Sequence, residues 1–284
     1  MRFLLLGSSG MAGHVISIYL KERGHDVVGF SRRSVDFVPV VCGDASDTAL
    51  LEAVIQEGDF DIVVNAIGVL NESAESNKDE AVYLNSYLPH YLAFLTREMP
   101  TRVFHMSTDC VFAGNTGPYA EDSFPDGKSF YDRSKALGEL NDNKNLTFRN
   151  SIIGPDINEK GIGLVNWFMK QTGPIKGFTR ALWTGLTTLE LAKVIECASV
   201  VDVTGLINMV PEENISKYDL LCLLNEHLRC ERRVVIEPQD EPLLDKTLIR
   251  TNLGFYYTVP GYEEMVAEMA EWIATHRSLY PSYY

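Results

Sequence analysis

The sequence predicts a doubly wound α/β fold, a parallel sheet covered on both faces, and two observations predict it. Short apolar runs alternate with amphipathic helical patterns over the first 150 residues, and the first run breaks straight into closely spaced glycines at the mouth of a helix. Unbroken apolar strands mark a sheet buried on both faces, and helices between them supply the crossovers that parallel strands require.

The elements follow in order. "RFLLLG" (2–7) reads as a buried strand, "GHVISIYLKERG" (13–24) as a helix and "DVVGFSR" (26–32) as a second strand. "CGDASD" (42–47) follows a third strand, "TALLEAVIQEG" (48–58) is helical and "DIVVNAIG" (61–68) is a strand. "DEAVYLNSYLPHYLAFLTREM" (79–99) reads as helix, "RVFHMST" (102–108) as a strand and "GKSFYDRSKALGEL" (127–140) as a helical stretch. Past "LTFRNSIIGP" (146–155) the rhythm loosens. Residues 155–182 carry several glycines and two prolines between short helical pieces, and "EENISKYDLLCLLNEHL" (212–228) is a later helix. The expected organisation is a nucleotide-binding domain over 1–150 with a return segment near 184–209, and a smaller, mainly substrate-binding α/β domain over 151–284.

Composition narrows the partners. The chain of 284 residues has 25 Lys and Arg against 39 Asp and Glu, a net charge of −14. Nucleic acid calls for basic patches, so it is excluded as a partner. No apolar run has membrane-spanning length, and the N-terminal apolar stretch is too short for a secretory signal. Five cysteines without CxxC pairing (Cys42, Cys110, Cys197, Cys222, Cys230) point to free thiols in a reducing cytoplasm. No His/Cys cluster has zinc-ligand spacing, so no metal is expected.

"LLLGSSGMAGH" places Gly7, Gly10 and Gly13 directly after the first strand. Glycine is needed where backbone turns tightly, approaches a pyrophosphate or lets helix touch strand, and the helix start offers unpaired N–H groups to an anion. A merely flexible strand-to-helix turn is the plainer alternative. The context favours a Rossmann-type dinucleotide site, with Ser9 and Met11 of the turn beside the cofactor. The spacing is GxxGxxG rather than GxGxxG. At the end of the second strand, "GFSRRS" supplies Arg32 and Arg33 and no acid. A guanidinium grips a 2′-phosphate where a carboxylate repels it, so NADP(H) is favoured, with NAD(H) still open. Asp44 and Ala45 in "CGDASD" are expected near the adenine.

Tyr131 and Lys135 stand four apart, on one helical face. Such pairs are usually solvated surface neighbours. Here Thr108, at the end of a strand in "FHMSTDCVF", would lie where open α/β sheets bind ligands, beyond the carboxyl ends of the strands. The three suit carbonyl reduction. A phenol gives up a proton, a nearby ammonium favours the phenolate, and a hydroxyl steadies the charge growing on oxygen.

"GSSGMAG", "GDASD", "NAIG", "LNSYLPHYLA", "STDCVF", "GPYAEDSFP", "YDRSKALGE" and "RNSIIGP" together resemble the extended short-chain dehydrogenase/reductases. More narrowly they resemble the dTDP-4-dehydrorhamnose reductase family of sugar-nucleotide reductases. "GFTRALWTGLTTLELAKVIE" resembles the segment returning from that family's substrate domain. The resemblance implies that Thr108, Tyr131 and Lys135 are catalytic, that Lys135 also holds the nicotinamide ribose, and that Asn85 supports the lysine. It places Asn65, Ala66 and Gly68 in the loop beneath the cofactor. The implied substrate is a nucleotide-diphosphate sugar carrying a 4-keto group; the assembly left open is a homodimer.

The chain also departs from that family. Cys110 stands where a tyrosine is usual, and Ile152 where tryptophan is common. GDP-fucose synthases carry a cysteine at this offset and epimerise before reducing, with a histidine where this chain has Asp156; an epimerase-reductase is therefore the alternative. Nucleotide-sugar dehydratases have Asp-Glu after the threonine, and Asp109 is followed here by Cys110. A non-catalytic, NADP-binding regulatory subunit is the alternative of a different class. Candidate substrate contacts are Cys110, Asn150, Asn166, Trp167, Lys176, Arg180 and Trp183, of which Trp167 also reads as helix core and Lys176 as a solvated residue.

Overall fold

The computed structural model describes residues 1–284, the side chain of Glu231 excepted. Seven parallel strands form the central sheet: β1 (Arg2–Leu6), β2 (Asp26–Ser31), β3 (Val40–Cys42), β4 (Ile62–Asn65), β5 (Arg102–Met106), β6 (Leu146–Arg149) and β11 (Gly205–Asn208). Their spatial order is β3-β2-β1-β4-β5-β6-β11. The order reverses between β1 and β4, where Leu4 pairs with Val28 on one side and Val63 on the other. Crevices for ligands open at such switch points, at the carboxyl ends of the strands.

Strand residues alternate between two cores. Phe3, Leu5, Val64, Phe104 and Phe148 face a large cluster with α1 (Met11–Glu22), α8 (Thr188–Ser199) and α10 (Tyr262–Thr275). Leu4, Leu6, Val63 and Val103 face the other, against α2 (Thr48–Glu57) and α5 (Leu88–Leu95). This period of two is what a doubly covered sheet demands.

The helical stretch expected over 79–99 is subdivided. After α3 (Asn71–Ser76) and α4 (Lys78–Ala81), residues Val82–Tyr87 form a π-helical turn before α5 begins. Pro89 has no N–H to offer the Asn85 carbonyl four residues back, so the ordinary ladder fails there. The end of α6 (Phe130–Leu137) closes on the released carbonyl: a Cβ on Gly138 would stand 1.9 Å from it.

Residues 155–182 also differ from the expected short helical pieces. They hold one helix, α7 (Leu164–Met169), and two strands, β8 (Ile175–Phe178) and β9 (Ala181–Trp183). β8 pairs in parallel with β13 (Ile236–Gln239), and β9 lies between β12 (Ile215–Ser216) and β14 (Leu244–Asp245). These partners are 32 to 63 residues away, so no local pattern announces them. β7 (Ser151–Ile153) pairs with β10 (Gly185–Thr187), and α9 (Lys217–Arg229) starts later than expected, capped by Ser216. From β10 the chain runs through α8, packed on α1, to β11 at the sheet edge. Among the described residues no helix is long and apolar enough to cross a membrane.

Candidate active site

Gly7 leaves β1 with φ of 85°, a region that glycine enters without steric cost. A Cβ on Gly13 would lie 2.1 Å from the Gly7 carbonyl oxygen, so only glycine lets α1 sit this close to the turn. Gly10 precedes α1 without a side-chain cap, and the first turn holds no acid. The first N–H groups of α1 are thus free to meet an anion, which is the cradle a pyrophosphate requires. Ser9 and Met11 are half-buried at its rim.

The neighbouring strand ends complete the crevice. Arg32 and Arg33 are exposed after β2. Asp44 accepts from Ser46 Oγ at 2.7 Å and Ser46 N at 2.9 Å, which hold its carboxyl below the ordinary range, with Arg32 contributing less. The Ala45 carbonyl accepts from Tyr83 at 3.1 Å. Beyond β4, the Ala66 carbonyl meets the glycine turn, with a Cβ on Gly7 reaching it at 3.1 Å. A Cβ on Gly68 would come within 3.3 Å of Asn85 Oδ1. Asn65 is fully buried; its Oδ1 accepts from Ile67 N and its Nδ2 faces His105 Nδ1, each at 3.2 Å.

Thr108 follows β5, buried, its hydroxyl donating to Asp109 Oδ1 and accepting from Cys110 N, both at 3.1 Å. α6 brings Tyr131 and Lys135 to it. The helix begins with a reciprocal cap in which Ser129 Oγ accepts from Asp132 N at 3.0 Å and Asp132 Oδ2 accepts from Ser129 N at 3.1 Å. Tyr131 is buried in a small cluster with Val69, Ala74 and Cys110. Lys135 is also buried, and Nζ donates to the Met106 carbonyl at 2.6 Å.

Burial governs both titrations. It pushes the Tyr131 phenol above its ordinary range, Cys110 adds to this, and a hydrogen bond with Thr108 partly offsets it. It lowers Lys135 to about 8, partly opposed by Glu139. The acidification of Tyr131 by Lys135 that their spacing predicts is not seen: burial sets the phenol, and Thr108 is the group that lowers it. As folded, Tyr131 is protonated at neutral pH, the state a proton donor needs.

Asn85 sits in the π-helical turn, completely buried. Its Nδ2 donates to the Val69 carbonyl at 2.9 Å and to Ser134 Oγ at 3.0 Å, and its Oδ1 accepts from Val69 N at 2.8 Å. Ser86 Oγ donates to the Ser134 carbonyl at 2.7 Å. Together these fix α6 between Tyr131 and Lys135. A second anchor was not singled out in the sequence. Arg149 donates from Nε to Glu139 at 2.8 Å and from Nη2 at 2.6 Å, both side chains buried, and Ser107 Oγ donates to the same carboxylate at 2.6 Å. The pair holds the residue just before Thr108. Its only sequence signal was an arginine ending the otherwise apolar "LTFR".

The expected substrate residues separate into two groups. Cys110 packs beside Tyr131, its thiol pushed up to about 12 by burial first and Asp109 second. Asn150 is buried just past the end of β6, with Nδ2 unpaired among the described residues. Trp167, Lys176 and Arg180 are exposed. Asn166 and Trp183 are placed differently from the expectation. Asn166 Nδ2 donates to the carbonyls of Asn158, Glu159 and Gly161 at 3.2, 3.1 and 2.7 Å, closing a loop. Trp183 is core, 4% exposed and packed on Tyr262, because β9 lies under α9 and α10. Asp156 accepts from Asn158 N at 2.8 Å, and burial raises its carboxyl.

A sheet of this order, a glycine cradle at its switch point and a Tyr/Lys pair beside the β5 tip define an extended short-chain dehydrogenase/reductase fold. Residues 1–151 match the model of the RmlD substrate binding domain, and the chain belongs to that family. A probable low-salt glycan biosynthesis reductase, Agl14 of Haloferax volcanii, is 34% identical over 137 residues, covering 47% of this chain and 46% of that one. Methionine adenosyltransferase 2 subunit beta of Xenopus laevis is 28% identical over 141 residues, 49% of this chain and 41% of that one. The match thus spans about half the length of these relatives. The dTDP-4-dehydrorhamnose reductase of Bacillus anthracis, solved in complex with NADP, shares the fold with a TM-score of 0.79 at 18% identity, over 94% of this chain and 98% of that one.

Proposed function

We propose that this chain is an NADPH-dependent reductase of a nucleotide-linked 4-keto-6-deoxysugar, of the dTDP-4-dehydrorhamnose reductase kind. The observation that carries the reading is that Tyr131 meets Thr108, and Lys135 the Met106 carbonyl, all buried at the end of β5, two strands from the glycine turn that follows β1. The cradle fits a dinucleotide, since its glycines let α1 close on the turn while the first N–H groups of the helix stay uncapped. Exposed Arg32 and Arg33 suit a 2′-phosphate and make NADP(H) the cofactor over NAD(H). When bound, the cofactor supplies the hydride for the carbonyl carbon.

The chain's own residues handle the oxygen. Tyr131, protonated at neutral pH, gives its proton to the oxygen as negative charge grows there. Thr108 turns its hydroxyl hydrogen from Asp109 to the same oxygen. Lys135 stabilises the phenolate left behind, and Asn85 keeps α6 in register. Asn150, Trp167 and Arg180 are the proposed contacts of the nucleotide-diphosphate sugar. In this reading residues 1–150 with the return segment form the cofactor domain, and 151–284 mainly the substrate side. A homodimer remains the proposed assembly.

The epimerase-reductase reading is weaker. Cys110 keeps its proton far above neutral pH, so the base that epimerisation needs is not poised, even though burial raises Asp156 as an acid would require. A regulatory subunit is the other reading, favoured by the adenosyltransferase subunit among the relatives; the intact Thr/Tyr/Lys set favours an enzyme. NADPH oxidation against a panel of 4-keto nucleotide sugars tests this, with Tyr131→Phe alongside. Turnover that the variant loses is expected. Inert substrates throughout, or a variant as fast as the parent, would refute it, and deuterium uptake at C3 or C5 from heavy water would favour epimerisation.

A further inference from the structure

His14 lies one turn into α1, four residues past Gly10, and is completely buried. Its Nδ1 is 2.9 Å from the Gly10 carbonyl oxygen, which can only accept, so Nδ1 carries the proton. Its Nε2 is 2.8 Å from the Tyr280 hydroxyl. Burial lowers the imidazole to about 4, so at neutral pH Nε2 is a lone pair and Tyr280 donates to it. The same hydroxyl accepts from Trp272 Nε1 on α10 at 3.1 Å. Every hydrogen in this line has one direction, from Trp272 through Tyr280 and His14 to the glycine turn.

Three residues further on, Tyr283 accepts a hydrogen bond from Asp156 N at 2.9 Å. The rings of Tyr280 and Tyr283 stack with centroids 5.7 Å apart, and Arg232 donates to the Tyr283 carbonyl at 2.7 Å. Asp156 opens the loop that Asn166 closes, and that loop ends against the cradle. A Cβ on Gly163 would stand 2.7 Å from Met11 Sδ. Two stacked tyrosines thus hold, with one hydroxyl each, the helix of the glycine turn and the loop facing it.

We propose that Tyr280 and Tyr283 are positioning residues: they keep the glycine turn and the loop 156–163 in register, so that cofactor and sugar nucleotide reach Tyr131 together. The identity of the two ligands rests on the function proposed above. The register itself does not. A purely structural role would lower stability evenly, whereas a positioning role separates the two variants.

The experiment compares the full chain with Tyr280→Phe and Tyr283→Phe by hydrogen–deuterium exchange, NADPH titration and steady-state kinetics. Tyr280→Phe leaves His14 Nε2 and Trp272 Nε1 without a partner, and Tyr283→Phe leaves Asp156 N without one. Tyr280→Phe is expected to speed exchange over 8–14 and raise the NADPH Kd about tenfold, with the sugar-nucleotide KM within about twofold. Tyr283→Phe is expected to speed exchange over 156–162 and raise that KM about three- to tenfold, with kcat and the NADPH Kd within about twofold. If Tyr280→Phe fails to fold, Trp272→Phe, which removes the donor to the hydroxyl together with part of the ring stacked on His276, should shift the same constants in the same direction by less. Lowered melting temperatures with unchanged constants, or equal shifts in both variants, would overturn the proposal. If the parent chain binds no NADPH, the functional reading fails, while exchange still decides the register: uniform exchange across both segments overturns it.

Discussion

Residues before 150 and residues after it hold their groups in different ways. Before 150, Gly7, Asn65 and Thr108 stand at or just beyond the ends of strands that are hydrogen-bonded on both sides, and α6 brings Tyr131 and Lys135 to them. After 150, strands of two to four residues pair across long intervals, and Trp167, Lys176 and Arg180 project from short elements into solvent. The first arrangement ties its groups to a continuous hydrogen-bonded sheet. The second presents adjustable contacts. If this difference is functional, substitutions in the first region change kcat and those in the second change KM.

The largest effect expected is at the phenol. Tyr131→Phe should lower kcat by about 10²- to 10⁴-fold with KM little changed, since a general acid acts only as the reaction proceeds. Steady-state kinetics at saturating NADPH checks it, and an equal rise in KM would break the contrast between the regions. Next in size is the anchor behind Thr108. Arg149→Leu leaves the buried Glu139 carboxylate without its partner and should cost about 3–5 kcal/mol, read by denaturant unfolding.

Lys135→Met tests whether the rigid region carries strain for function. The lysine is buried with its titration lowered to about 8 from 10.5. Between those values the unfolded chain binds the extra proton, so stability rises with pH across that window, and the penalty is full below about 8. The variant should be inactive yet more stable at pH 7 by about 1–3 kcal/mol, an advantage that shrinks towards pH 10. A variant less stable than the parent at pH 7 would mean that the Met106 hydrogen bond outweighs desolvation. In the second region, Arg180→Ala should raise the sugar-nucleotide KM about tenfold and leave kcat alone, the size of one lost charge-assisted contact.

The same contrast explains what the sequence revealed. Gly7 and Gly13 are legible because strand, turn and helix are contiguous, and the close approach they permit is local. Tyr131 and Lys135 are legible because four-residue spacing survives folding. Glu139 and Arg149 join only when β6 returns alongside β5, so their pairing lies in no local pattern. The π-helical turn needed both Pro89 and the far-off Gly138. Trp183 reads alike as ligand platform or as core until β12 and β14 are known to flank it, and His14 gains meaning only from a tyrosine 266 residues away.

Cys110 is where the two regions meet, and its predicted effect is the smallest. It lies two residues past Thr108, beside Tyr131, and is also one of the candidate substrate contacts. With its thiol raised to about 12, the thiolate is scarce at neutral pH and the sulfur acts as a small, weakly polar wall. Cys110→Ser should then change kcat and KM by no more than about threefold, since it exchanges one small uncharged group for another. Alkylation by iodoacetamide at pH 7.5 should modify exposed Cys42 well before Cys110. A kcat loss approaching that of Tyr131→Phe, or rapid alkylation of Cys110, would show that the thiol ionises in the proposed reaction, and would move it from the wall of the site into its chemistry.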